Sequence, residues 1–307
     1  MFDPKAVLKR IRVSQPFNIL ATSVTRATLR AVGGHSELVV KHLHRVGAVR
    51  RSLPNGRELV LWSRGDDWIA NQVYWRGWAG YEPEMAPLWF QRAAHASVVL
   101  DVGAHVGFYT LLAGHANPKG KVFAFEPHPT VHGRLVRNVG LNGLDHVRCM
   151  LTACGASAGT QALYEVVGSG IPSGSTLEGR FMNPEWGVRC RSVPVLMLDA
   201  FVADAELQTV DLVKLDTEGT EPQVLEGMRD TLRRHHPTVF CEVLPGRGTE
   251  EALEAVFGTL GYRYFLLRSE GPELKDRIFG DVRWWNWLFE PNAGSEAGKT
   301  GDGTVAG

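Results

Sequence analysis

The chain has 307 residues, 44% of them apolar and 21% charged, with 33 basic and 33 acidic side chains that cancel to a formal net charge of zero. That is enough material for one large α/β domain with an extension and a core of normal size. It excludes a disordered chain, and a membrane span too, since no run approaches the ~18 apolar residues one needs. It also speaks against a protein that lives on a nucleic-acid backbone, which carries a basic excess.

The first fifty residues show broken helical periodicity, and their basic residues Lys5, Lys9, Arg10 and Arg12 leave room for contact with a membrane surface. They contain no apolar run of signal-peptide type, so a soluble, cytoplasmic protein is expected. Leu53–Trp62 holds Pro-Asn-Gly before an apolar run and predicts a short hairpin. The aromatic-rich stretch Trp68–Trp89 predicts a helical cover, so residues 1–80 form an extension that serves as lid or acceptor cover. Its tryptophans have two readings, a stacking platform for the acceptor or core packing, of which the second is the plainer.

From Ser97 short apolar runs alternate with helical segments. The runs are Val98–Leu100, Val122–Phe125, Val147–Leu151, Leu212–Leu215, Val239–Val243 and Tyr264–Leu267. The helices are predicted around Phe108–His115, Thr130–Asn142, Glu221–His235 and Glu250–Leu260, the last capped by Thr249. This alternation predicts a Rossmann-like α/β domain over 81–291, with a mostly parallel sheet and helices on both faces. Ser157–Pro194, rich in glycine, breaks the rhythm and reads as an irregular lid or an added β segment. The aromatic run Arg283–Phe289 suits a last strand, and the Gly-, Ser- and Thr-rich tail 292–307 is expected to be disordered. Cys149, Cys154, Cys190 and Cys241 form no CxxC pair, and Cys149 and Cys241 sit in apolar runs as small buried thiols. No His/Cys cluster has zinc spacing.

Val98 through Thr110 reads as strand, glycine turn and helix. Gly103 and Gly107 permit a tight turn and close ligand approach, and the helix that follows offers free N–H groups. A dinucleotide turn needs G-x-G-x-x-G; here the run is G-x-x-x-G, with Ala104 and His105 after the first glycine, so the pyrophosphate cradle is incomplete. Glu126 ends the next strand, where a carboxylate accepts both hydroxyls of a ribose. The ligand implied has an adenosine-like diol and no pyrophosphate, which removes the nicotinamide oxidoreductases. The plainer alternative is a tight βα turn with no ligand; the pairing of Asp101 and Glu126 at strand ends speaks against it.

Three segments in order, Asp101–Thr110, Ala124–Pro129 and Lys214–Glu221, followed by Val224–Gly227 and Glu242, resemble the FkbM family of S-adenosylmethionine-dependent methyltransferases over roughly 81–291. The resemblance implies a class I methyltransferase fold, a seven-stranded sheet whose last strand, the aromatic run, is antiparallel. It implies that Asp101, Gly103 and Gly107, with Ala104, Phe108 and Tyr109 beside them, surround the methionine part of the cofactor. Glu126, followed by Pro127, would hold the ribose. His105 stands where the family commonly has Asn, placing a titrating group near the cofactor. Thr152 and Ala153, after the third strand, are placed near the adenine by the same analogy.

Methyl transfer to a hydroxyl needs an aligned acceptor, exclusion of water and a base within reach. Asp216 ends a strand at the cofactor edge and Glu218 follows on the turn. Two carboxylates so close are not both ionised cheaply, so one has a raised pKa and acts as base; alternatively the pair holds a divalent cation. Glu242 ends the next strand and is expected to face the same crevice. Glu221 reads as a helix N-terminal acid, and Lys214 as a solvated strand residue. His105 and His128 are candidates to line the pocket, and His235-His236 to close a helix. The expected activity is O-methylation of a hydroxyl on a small molecule, sugar or glycan, with no nucleic-acid partner. The alternatives are N- or carboxyl-methylation and a non-catalytic module that keeps the fold.

Overall fold

The structure is a computed structural model, and it describes residues 14–292 except 32, 34–36, 169, 173, 184 and 186. Lys5, Lys9, Arg10 and Arg12, and the tail after Asn292, lie outside the described residues. The extension comprises helices α1 (Gln15–Ala31) and α2 (Glu37–His42), the hairpin β1 (Val46–Ser52) and β2 (Glu58–Arg64), and helix α3 (Trp68–Arg76). Pro54-Asn55-Gly56 makes the hairpin turn, with Gly56 at φ 79.

Helix α4 (Ala86–Ala93) leads into the main sheet. Its strands are β3 (Val98–Val102), β4 (Lys121–Phe125), β5 (Val147–Met150), β9 (Leu212–Leu215), β10 (Thr238–Glu242), β11 (Tyr262–Arg268), β12 (Gly271–Lys275) and β13 (Asn286–Pro291). Their order is β12-β11-β13-β10-β9-β3-β4-β5. The five strands from β10 to β5 pair in parallel, and β13 runs antiparallel to both β10 and β11. The last strand is therefore antiparallel as expected, but the sheet has eight strands rather than seven. The additional one, β12, folds back on β11 from a turn at Gly271 (φ 119). Its sequence, Gly-Pro-Glu-Leu-Lys, gives no buried run to announce it; Leu274 is 59% exposed.

Helices α5 (Phe108–Ala116) and α6 (Pro129–Leu141) join the extension and α4 on one face of the sheet. The other face carries α7 (Leu198–Asp204), α8 (Glu221–Glu226), α9 (Arg229–His235) and α10 (Glu250–Thr259). Trp75 and Trp89 of the aromatic stretch are buried in the first core, and Trp287 in the second. The extension is tied to the sheet domain by more than this shared core. Asn138 of α6 and Asn142, just after it, accept from Trp62 N (2.8 Å) and Val60 N (2.9 Å), pairing the outer edge of β2.

The stretch after β5 is an added β unit: β6 (Ala153–Cys154), β7 (Gly159–Val166) and β8 (Val188–Leu196) form a three-stranded sheet in the order β6-β8-β7. Where the sequence predicts one helix over 221–235, the chain makes two. Gly227, between them, lies against the Gly155 carbonyl so closely that a Cβ has no room, and its own carbonyl accepts from Asp199 N at 2.8 Å. Helix α7 carried no sequence signal. Thr249 stands at the N-terminal end of α10 as predicted, but its hydroxyl makes no capping bond and Glu250 reaches across to Gly280 N instead (3.2 Å).

Gly103 is the position where the backbone is most constrained. At φ 80 it lies against the Asp216 carbonyl, leaving no space for a side chain. Gly133, inside α6, has open space around its Cα. Gly103→Ala is expected to cost about 3 kcal/mol or more, whereas Gly133→Ala stabilises by about 0.5–1 kcal/mol; urea unfolding of both variants measures the contrast.

Candidate active site

The carboxyl ends of β3, β4 and β9 open onto a cavity of about 380 Å3, a size usual for a small-molecule site. The glycine turn enters it first. Gly103 N and Ala104 N donate to the Phe125 carbonyl (3.0 Å each), and Gly107, at φ 90, begins α5. A side chain at Gly107 would meet Leu135 Cδ1 at 2.5 Å, so this turn packs tightly on α6.

Glu126 follows β4 and is held by two backbone donors, His105 N on Oε2 (3.0 Å) and His128 N on Oε1 (2.7 Å). One lone pair remains on each oxygen, a fixed pair of acceptors for a diol. Burial pushes its pKa up to about 7, against the pull of those two bonds. Beside it, Phe125, Pro127, Ala153, Cys154, Leu163 and Leu177 make an apolar slot of the kind a flat base enters. Thr152 lies beside the slot, not in its lining; its hydroxyl donates to the Pro194 carbonyl (3.0 Å).

Asp101 also lies behind the cavity rather than in it. It is fully buried, with Oδ2 accepting from Thr110 Oγ1 (2.5 Å) and Oδ1 without a partner. His128 is likewise not a wall residue: it caps α6 and binds Glu165, which also pairs with Arg191 (3.0 Å), tying the turn after β4 to the β7–β8 unit. His105 does line the cavity. Its Nε2 faces the Pro172 carbonyl at 2.9 Å, so that nitrogen carries the proton, and burial lowers the imidazole pKa.

The acidic row lies on the β9 side. Lys214 is buried, with Nζ 2.6 Å from Asp216 Oδ2 and 4.9 Å from the centre of the Tyr109 ring, which corrects its reading as a solvated residue. Burial opposes its charge, but Asp216, Asp101 and Glu82 outweigh that and raise its pKa. Asp216 shows the mirror pattern: burial opposes its charge, yet Lys214 holds it below the ordinary carboxylate range. Glu218 is the opposite case. Burial and the Asp216 charge push it up to about 7. Of the two carboxylates, Glu218 is thus the one poised to take a proton at neutral pH.

Glu242 faces Asp216 and Glu218 from behind and does not line the cavity. Oxygens of the three lie within 4.8 Å of one another. Burial and those two neighbours raise its pKa, and among the described residues its Oε2 has no donor. This triangle has the spacing of a cation site, but the Lys214 ammonium already sits on Asp216, so it supplies the positive charge there. Glu221 behaves as a helix-start acid: its Oε1 accepts from Thr217 N (2.8 Å) and Gly219 N (3.2 Å), fixing the turn that carries Glu218. His236 ends α9 in the left-handed conformation, so that histidine pair is structural.

Several wall residues carried no sequence motif. Asp67 caps α3 through Ala70 N (3.1 Å) and lines the cavity with Trp68 and Tyr81. Between β7 and β8, Ile171, Pro172, Gly174 and Leu177 line the cavity. Ile171 N donates to the Asp66 carbonyl (3.2 Å), Gly174 lies beside the Glu218 carboxylate, and Arg247 reaches both Phe181 and Glu218 (3.7 Å). Tyr109 donates its hydroxyl to Glu82 behind the turn. Of the five non-glycine residues at positive φ among the described residues, Glu82, His105 and Glu218 belong to this site, a concentration of backbone strain that marks a working region.

The sequence matches the Methyltransferase FkbM domain over residues 101–273. It is similar to the methyltransferase sdnD of Sordaria araneosa, 27% identical over 198 residues that cover 56% of this chain and 76% of sdnD. The 2-O-methyltransferase NoeI of Sinorhizobium fredii is 29% identical over 147 residues, 45% of this chain and 59% of NoeI. The hexuronic acid methyltransferase AglP of Haloferax volcanii is 27% identical over 154 residues, 50% of this chain and 58% of AglP. Among solved structures, the methyltransferase FkbM of Methylobacillus flagellatus superposes with a TM-score of 0.41 at 14% identity, over 73% of this chain and 55% of that one.

The raised carboxyl of Glu126 links protonation to stability. Its folded pKa, about 7, lies above the ordinary 4.5, so the folded state holds the proton more tightly. The stability this gives is complete below pH ~4.5 and is lost as pH rises through ~7, by about 3 kcal/mol. Glu126→Gln removes that loss. Thermal melts from pH 5 to 8, as ~1-unit steps, are expected to show the variant gaining on the parent protein as pH rises.

Proposed function

The chain belongs to the FkbM family of methyltransferases, and from that premise we propose that it is an O-methyltransferase that moves a methyl group from S-adenosylmethionine to a hydroxyl of a small molecule or sugar. The observation that carries the reading is the charge of the cavity wall. Among the described residues the carboxyls of Asp66, Asp67, Glu126, Asp216 and Glu218 line it, with Lys214 the one cation, while Glu126 and Glu218 are half-protonated near pH 7 and burial raises Asp67. Such a wall offers carboxyl acceptors and almost no cationic cradle for a pyrophosphate, which suits a sulfonium nucleoside. The 2-O-methylation in the name of NoeI supports a hydroxyl acceptor, and the hexuronic acid in the name of AglP supports a sugar.

When bound, S-adenosylmethionine supplies an electrophilic methyl group, whose transfer to oxygen breaks the S–CH3 bond and leaves a neutral thioether. Glu126 accepts the two ribose hydroxyls on its free lone pairs. The slot formed by Phe125, Ala153 and Leu163 takes the base, and the Gly103–Gly107 turn carries the methionine part. Asp216 stays ionised beside Lys214 and keeps the local field negative where positive charge must be accommodated. Glu218 accepts the acceptor hydroxyl proton, so the methyl ether leaves uncharged. The segment around Pro172 and Gly174 excludes water from this step. An acidic cavity and zero net charge disfavour a nucleic-acid acceptor, and the free thiols of Cys154 and Cys241 suit the reducing cytoplasm. Among the described residues no helix is long and apolar enough to cross a membrane.

Isothermal titration with S-adenosylmethionine and with its demethylated product is the first test; absence of heat for both rejects the reading. Glu126→Ala is expected to weaken cofactor binding about 10- to 100-fold. Glu218→Gln is expected to leave the cofactor Kd within about 3-fold while lowering kcat by ~10²-fold or more. In the parent enzyme kcat rises as pH passes through about 7, where Glu218 loses its proton, and the variant loses that limb. Loss of cofactor binding in both variants overturns the division of roles.

A further inference from the structure

Helix α3 of the extension starts at the cavity wall, and its start is only partly satisfied. Asn71 N reaches the Asp67 carbonyl (3.2 Å), and Ala70 N reaches Asp67 Oδ1 (3.1 Å). Trp68 N and Ile69 N, the two helical N–H groups before them, have no acceptor among the described residues, as the first turn of a helix leaves them. Both residues line the cavity. Asp67 lines it too, yet is only 1% exposed. Capping takes one side-chain oxygen, which serine or threonine supplies as well. Asp67 buries a second, Oδ2, with no donor among the described residues.

No ion pair among the described residues neutralises this carboxyl. The nearby guanidinium of Arg134 puts both its Nη1 and its Nη2 on Asp66 (3.2 and 3.1 Å). Burial pushes Asp67 above its ordinary range, and a buried acid without a partner is costly. The cofactor turn lies next to it. Ile171 N donates to the Asp66 carbonyl (3.2 Å) and the Pro172 carbonyl faces His105 Nε2 (2.9 Å), so two consecutive residues bridge the start of α3 to the turn. His105 N in turn holds Glu126 Oε2 (3.0 Å). A nucleoside with its ribose on Glu126 and its chain over the Gly103–Gly107 turn extends toward Asp67. In S-adenosylmethionine that chain ends in a zwitterion, one ammonium and one carboxylate. A carboxyl oxygen suits the first, and free N–H groups at a helix start suit the second.

We propose that the start of α3 holds the amino-acid end of S-adenosylmethionine, with Asp67 Oδ2 on the ammonium and the N–H groups of Trp68 and Ile69 on the carboxylate. The proposal rests on S-adenosylmethionine as the cofactor, and it gives the extension a part in binding that cofactor. An acceptor hydroxyl is the competing partner of Asp67, and a cap with no ligand is the plainer role. Ligands that lack the ammonium, or the whole amino-acid end, separate these readings.

The test is isothermal titration of the full chain with S-adenosylhomocysteine, with its deaminated analogue, which keeps the carboxylate, and with methylthioadenosine, which lacks the amino-acid end. Asp67→Ser keeps a capping oxygen and deletes Oδ2. It is expected to weaken S-adenosylhomocysteine about 10- to 100-fold and to leave the other two ligands within about 2-fold. Asp67→Asn, which keeps the cap and the shape but not the charge, is expected to lose affinity in the same pattern, and thermal melts of both variants check that the helix start survives. In the parent protein the deaminated analogue is expected to bind more tightly than methylthioadenosine, through the α3 N–H groups. Equal loss for all three ligands, no loss for S-adenosylhomocysteine, or a deaminated analogue that binds no better than methylthioadenosine overturns the proposal and leaves the cofactor in place. Failure of the parent protein to bind S-adenosylhomocysteine or S-adenosylmethionine overturns both.

Discussion

The site depends on one close approach of backbone to backbone, that of Gly103 to the carbonyl of Asp216. These two residues end neighbouring parallel strands, and their contact brings the glycine turn and the acidic turn to one point on the sheet edge. A side chain at 103 would separate them. Everything else at the site is placed relative to that point. His105 is carried to Glu126, Glu126 is fixed by the turns on either side of it, and Glu218 is carried beyond Asp216 on a turn that Glu221 holds shut. The left-handed backbone at His105 and Glu218 is a consequence of bending two chains around one crowded corner.

Bringing strand ends together also brings charges together, and the balance among them divides the labour. Asp216 receives Lys214 and stays ionised; Glu218 receives no ammonium at hydrogen-bond distance, only Arg247 at 3.7 Å, and is pushed toward neutrality. Two carboxylates two residues apart in sequence thus acquire different chemistry from a single buried lysine. This placement is geometric, since Lys214 and Asp216 point to the same side of β9 and its continuation. Glu242, with neither a cation nor an N–H donor among the described residues, takes the penalty of the row and is held well above its ordinary pKa.

The parts of this arrangement that were legible in the sequence are those set by local pattern. Short apolar runs located the five parallel strands, and the glycine turn at 103–107 with Glu126 located the edge of the sheet where the cavity lies. What was not legible depends on contacts between distant segments. The i+2 acid Asp216 does not by itself reveal that Lys214 is buried, because the Tyr109 ring that it lies against meets it only in the folded chain. Asp67 and Pro172 reach the cavity from the extension and from the added β unit, neither of which carries a motif. Asp101 was legible as a strand-end acid, but not that it would turn to Thr110 behind the turn. The eighth strand and α7 escaped for a simpler reason: one is an exposed edge with no buried run, the other a single short segment between a strand and a loop.

The extension supplies one rim of the cavity and is attached to the sheet domain by side-chain hydrogen bonds. Asn138 and Asn142 hold β2 to α6 through backbone-like hydrogen bonds, so the hairpin is fixed to the domain that carries Glu126. Arg134 of the same helix takes Asp66 (3.1 Å) and the Trp62 carbonyl (3.0 Å), which sets Asp66 and Asp67 at the rim. The opposing segment rests on this rim through single bonds, Ile171 to Asp66 and Pro172 to His105. One wall is therefore locked by several bonds and a shared core, while the other is held by few. The β7–β8 unit is anchored elsewhere, through His128–Glu165 and through Gln223 donating to Glu178 (3.2 Å), so the bonds of Ile171 and Pro172 and the Arg247 contacts are the ones it makes at the rim. The histidine at 105 differs there from its neighbours in the turn: it lines the cavity and also bonds the Pro172 carbonyl of the segment across it.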